Sequence, residues 1–110
     1  MLNEGDLKDI SRAVRLIDMM NYLSMVRKTT ISALCVRYSK GRTTIKDDLK
    51  TLEYDLDVPF MNKKGQYIMV YNGWWFGSRY LTEKQKNALR YAIRVVKDKK
   101  IEEALISILI

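Results

Sequence analysis

The sequence predicts a mainly α-helical domain with a small β-hairpin, and three observations predict it. Apolar residues return at helical spacing along most of the chain. Between them, residues 58–71 form two β-rich runs around Asn62-Lys63-Lys64-Gly65, a tight-turn sequence. The composition is that of a folded domain: 47% hydrophobic, with one Pro and five Gly in 110 residues. That length fits one compact unit able to bury a real core.

The first helix carries Ile10, Ala13, Val14, Ile17, Leu23 and Val26 at helical spacing, with Met19, Met20 and Met25 on or beside the same face. These methionines are expected to fill core. Asp6 is the expected N-cap and Asp9 suits the first turn. The helix should fade around Arg27 and Lys28, because Thr29 and Thr30 suit an extended residue followed by a cap.

Thr30 then caps a second, shorter helix over residues 31–38, with Ile31, Leu34, Cys35 and Tyr38 inward. Ser39-Lys40-Gly41 links it to a third helix, for which Gly41 or Thr43 could be the cap. In that helix Ile45, Leu49, Leu52 and Leu56 recur at four, three and four residues, an inward stripe. Thr43, Lys46, Asp47, Lys50 and Tyr54 occupy the opposite side. A short helix, a three-residue turn and a second amphipathic helix opening on Arg and Thr are a helix-turn-helix signature, with residues 42–54 as the recognition helix.

Pro59 stops the third helix near Asp55, and the hairpin follows, with Gly65 free to take positive φ. A hairpin directly after a recognition helix reads as a wing, so the expected architecture is a winged helix-turn-helix followed by C-terminal helices. Lys63 and Lys64 at its tip suit phosphate, though a turn is also an ordinary place for solvated lysines. Asn72-Gly73 is a further turn signal, and Trp74-Trp75-Phe76 could add a short strand, packing into the core or an interface.

Thr82 with Gln85 forms a capping box opening a fourth helix to about Lys97. Leu89, Ala92, Ile93 and Val96 face inward there, and Lys86, Arg90, Arg94 and Lys97 form a basic stripe read as a solvated face. A fifth helix, 101–110, carries Ile101, Ala104, Leu105, Ile108 and Leu109 on one face and ends apolar nearly all round. Residues 1–73 thus form the expected DNA-binding unit and 74–110 a helical extension. The apolar end either folds back, pairs with another subunit, or belongs to a longer chain; a homodimer through these helices is the expectation.

Twenty Lys and Arg against thirteen Asp and Glu give +7, favouring a polyanionic partner. Residues 1–27 are balanced at four of each sign, whereas 28–64 hold eight basic to five acidic and 65–110 eight to four. The excess begins where the helix-turn-helix begins. One Cys fits a reducing, cytoplasmic setting, and Cys35 reads as a small core residue. With no His, a Cys/His metal cluster and the most versatile general base are both missing. Asp47 and Asp48 are adjacent, so on a helix they diverge by about 100° and make a poor metal pair. No enzyme, cofactor or metal is expected. No stretch is apolar and long enough to span a bilayer.

Leu34-Cys35, Arg42, Thr44-Ile45, Asp48-Leu49, Leu52-Glu53 and the return Gly65-Gln66-Tyr67 carry a family likeness. Over residues 12–71 the chain resembles the N-terminal winged helix of DeoR-type bacterial transcription regulators, especially those with a C-terminal WYL domain. Leu81-Thr82-Glu83 with Ala88-Leu89 is similar to the segment after the wing in WYL proteins. The resemblance implies a transcription regulator that binds double-stranded DNA. Where the family has Ser-Arg-Arg-Thr-Ile-Arg-Arg-Asp-Leu, this chain has Gly41-Arg42-Thr43-Thr44-Ile45-Lys46-Asp47-Asp48-Leu49. Thr43 and Asp47 thus replace two arginines, Gly41 replaces the capping Ser, and Lys40 replaces an apolar turn residue. Without a WYL domain after residue 110, no small-molecule ligand is expected.

The expected DNA contacts are therefore Arg42, Thr43 and Thr44 at the start of the recognition helix, and Lys46, Asp47 and Lys50 along the groove. Lys40, Lys63 and Lys64 would hold the backbone on either side. Asp47 can accept from a cytosine amino group or repel phosphate. The alternative is a protein–protein interaction module without DNA binding, which the Asp47-Asp48 pair, the tryptophans and the apolar end would also suit.

Overall fold

The computed structural model describes residues 7, 10–69 and 81–109 and, of these, the side chains of all but 68, 69, 108 and 109. The elements run α1 (Arg12–Val26), β1 (Lys28–Thr30), α2 (Ile31–Tyr38), α3 (Arg42–Tyr54), β2 (Phe60–Lys63), β3 (Gln66–Met69), α4 (Glu83–Val95) and α5 (Lys99–Leu109). The protein is mainly helical, with one small antiparallel sheet in the order β1-β3-β2. Among the described residues no helix is long and apolar enough to cross a membrane.

α1 starts later than its sequence suggests. Ser11 is its cap, the hydroxyl accepting from Val14 N at 3.3 Å; Asp6 and Asp9 lie outside the described residues. Residues 14–20 are all buried, so the middle of α1 is covered on every side and forms the axis of the packing. Met19 and Met20 are buried as expected, but Met25 is 56% exposed. It lies about 200° around the helix from the fully buried Leu23, and the core is on the Leu23 side. Val26, in the last turn, is also exposed. Arg27 then closes α1 in the left-handed region at φ 67°, donating its N–H to Leu23 O.

Thr29 and Thr30 do more than lead into α2. With Lys28 they form β1, which pairs with β3 in the register Thr29 opposite Tyr67. Thr30 also caps α2, accepting from Ala33 N at 3.1 Å. β3 is therefore central, flanked by β1 and by β2, its hairpin partner. The segment around Trp74-Trp75-Phe76, where sequence suggested an added strand, lies outside the described residues.

The core is one cluster drawn from α1, α2, α3, α4 and α5. Ile17, Leu23, Leu34, Ile45, Leu52 and Leu89 are fully buried within it. Residues on both sides of position 74 thus share one interior. Cys35 is partly buried against this cluster.

Gly41 is the N-cap of α3, at φ −75° and ψ 168°, and no side chain caps the helix there. A Cβ added at Gly41 would meet nothing within 4 Å. Gly41→Ser should therefore stabilise the fold by about 0.5–1 kcal/mol, from a new cap bond and a less flexible unfolded chain. Thermal or urea unfolding reads this directly, and a destabilised G41S would show that the turn needs the missing side chain.

Candidate nucleic-acid interface

α3 has two faces with separate jobs. Ile45, Asp48, Leu49 and Leu52 are buried. At about 100° per residue these four fall within one third of the circumference. Opposite them are Thr43, Lys46, Asp47, Lys50 and Tyr54, and beside the buried stripe lie Arg42 and Glu53, all exposed. Thr44, at the edge, is half-buried, and so is Lys40 in the turn before the helix. Among the described residues, no element covers this outer face.

The link into α3 is tight because Ser39 takes the left-handed region (φ 54°, ψ 46°) and donates its N–H to Cys35 O. Lys40 N also donates to Cys35 O, at 3.2 Å, so the last turn of α2 is closed twice. With no side-chain cap, the first N–H groups of α3 are left for solvent or an anion.

The hairpin turn comprises Lys64 and Gly65, at φ 54° and 82°. Two consecutive positive values are those of a type I′ turn, whose twist suits a two-residue hairpin. Asn62 Oδ1 accepts from Gly65 N at 3.2 Å and braces it. Lys63 and Lys64 are exposed at the tip. Of the nine residues singled out from sequence, Thr43, Lys46, Asp47 and Lys50 share the outer face of α3, and Arg42 is exposed at its edge. Lys63 and Lys64 sit on a different element, and Lys40 and Thr44 are only partly accessible.

Sequence reasoning missed what fixes α3 in place. Asp48 is fully buried and accepts from Arg15, Nε to Oδ2 at 2.5 Å and Nη2 to Oδ1 at 3.2 Å. Arg12 adds Nε to Oδ1 at 3.2 Å, and its Nη2 donates to Thr51 Oγ1 at 2.7 Å. Asp48 is thus no partner of Asp47 in an acidic surface; it bolts α3 to α1. Its position gave the signal: three residues after Ile45 and four before Leu52, it lies on the inward stripe.

A second buried ion pair fixes α2. Asp18 accepts from Arg37 Nε at 3.1 Å and Nη2 at 3.3 Å, and from Tyr38 OH at 2.6 Å. Arg37 also stacks over the Tyr22 ring, 4.2 Å from its centroid. Burial, reinforced by the Asp18 charge, pushes the Tyr38 phenol well above its ordinary value, so it stays protonated. Burial works against the Arg37 charge, but hydrogen bonding and attraction from Asp18 outweigh it and raise its pKa. Arg12, Arg15, Asp18 and Tyr22 recur at three, three and four residues, so α1 offers one charged stripe to both α2 and α3. Among the described residues no buried side-chain N or O lacks a hydrogen bond.

The far end of α3 is held by α4. Thr82 and Gln85 form the capping box: Thr82 Oγ1 accepts from Gln85 N at 3.2 Å and Gln85 Oε1 from Thr82 N at 3.1 Å. The Gln85 amide then donates to Leu56 O at 2.6 Å, tying the chain just past α3 to the start of α4. Among the described residues no cluster of His, Cys, Asp and Glu could hold a metal ion.

Compared with known proteins, the chain matches no family model, no curated protein and no solved structure.

Proposed function

We propose that the chain is a winged helix-turn-helix that binds double-stranded DNA as a transcription regulator. α2 and α3 form the helix-turn-helix, α3 lies in the major groove, and the β2–β3 hairpin is the wing. The observation that carries this reading is the exposed outer face of α3, where Lys46 and Lys50 point away from the buried residues and Arg42 is exposed at the edge of the first turn. The uncapped helix start suits a phosphate, and Lys63 and Lys64 at the hairpin tip suit a second backbone contact. The net charge of +7 supports a polyanionic partner. Dimerisation through α5, where Ile106 is exposed, belongs to the same proposal.

Titrating a mixed-sequence duplex at rising salt tests it. Neutralising about four to six phosphates should give a log–log slope of about −4 to −5. Saturation at two chains per selected site would report the dimer. No binding at about 50 mM salt would remove the DNA reading. It would favour a protein-interaction module, for which the exposed Val36, Tyr54 and Met61 are the supporting observation.

A further inference from the structure

At the C-terminal end of α3, a groove of about 560 Å³ opens between α1, the end of α3 and α4. Its walls are largely apolar. Leu16 comes from α1, Leu56 from just past α3, and Tyr91 and Val95 from α4. Tyr91 and Val95 are 51% and 36% exposed, unusual for neighbours in an apolar stripe. The volume is within the roughly 300–1,000 Å³ of ordinary small-molecule pockets.

Among the described residues lining the groove, Arg12 is the one charged group. Its side chain is 53% exposed. Asp48 is the carboxylate Arg12 meets, but Asp48 already takes two hydrogen bonds from the buried Arg15. Two guanidinium groups thus share one carboxylate, and the half-exposed one faces the groove. Thr51, which accepts from Arg12, lines the same wall.

We propose that this groove binds a small amphipathic carboxylate, its anionic head on Arg12 and its apolar body along Leu16, Leu56, Tyr91 and Val95. An anion supplies the charge that Asp48 leaves unmet, and a bond between ionised partners is the stronger kind. An apolar body removes from water the surface that Tyr91 and Val95 expose. The sequence alone gave no reason to expect such a ligand, because the groove draws its walls from three separated segments. The site is independent of whether α3 binds DNA.

Decanoate and decanol, titrated into the full chain with amide chemical shifts as the readout, test the proposal. Decanoate should shift residues 12, 16, 51, 56, 91 and 95 and bind about tenfold more tightly than decanol. Arg12→Gln should erase that preference while leaving decanol binding unchanged; Asp48 keeps Arg15, so the fold should hold. Ala88→Phe, which narrows the groove, should weaken both probes. Equal affinity for the two probes overturns the proposal. So do shifts confined to other surfaces, and so does a preference that survives in a folded R12Q.

Discussion

Replacing Asp48 with alanine is expected to cost about 3–5 kcal/mol of stability, the penalty for leaving a buried charge unpaired. Arg15 is 6% exposed at its side chain and has Asp48 as its acceptor. Without the carboxylate its guanidinium must either stay buried and unpaired or force α1 and α3 apart. Domains of this size are stable by about 5–15 kcal/mol in total. D48A should therefore lose a large share of its margin, with a drop in Tm on the order of 15 °C or more. Arg12→Ala makes the natural comparison: its side chain is half in solvent, so it should cost under about 1 kcal/mol. Urea unfolding of the two variants checks the ordering. A D48A protein as stable as R12A would mean that water or a shifted side chain satisfies Arg15.

The second large effect concerns binding and not folding. Lys46→Ala combined with Lys50→Ala should lower DNA affinity about a hundredfold and reduce the salt slope by about two, one for each lost phosphate contact. Arg42→Ala should cost about 1–3 kcal/mol if it reads a base edge, and should relax specificity at that position. All three side chains are exposed, so melting should stay within about 0.5 kcal/mol of the parent. Unchanged affinity in the double variant, with the fold intact, would remove the outer face of α3 as the reading surface.

Much of this arrangement could be read from spacing alone. The bounds of α2 and α3, the Thr30 cap, the positive φ at Gly65 and the Thr82–Gln85 box all followed from local residue chemistry. The misses share a cause. Asp48 and Arg15 are 33 residues apart, and Asp18 and Arg37 are 19 apart. Helical periodicity says which side of a helix a residue occupies but not what it meets there. A carboxylate next to Asp47 looked like surface until the opposing arginines were placed. β1 was hidden for a related reason: three residues carry no alternation, and their partner strand follows more than thirty residues later. The bare outer face of α3 was legible because it needs no partner within the chain.

The division of labour on α3 has a practical corollary. Anchoring falls to Ile45, Asp48, Leu49 and Leu52, with Thr51 bonded to Arg12, and the Gln85 clasp holds the chain just past the helix. Positions 43, 46, 47, 50 and 54 carry none of it, so a combinatorial library at those five sites should yield soluble, folded members at high frequency. Selection for new targets could then proceed without first repairing damaged scaffolds.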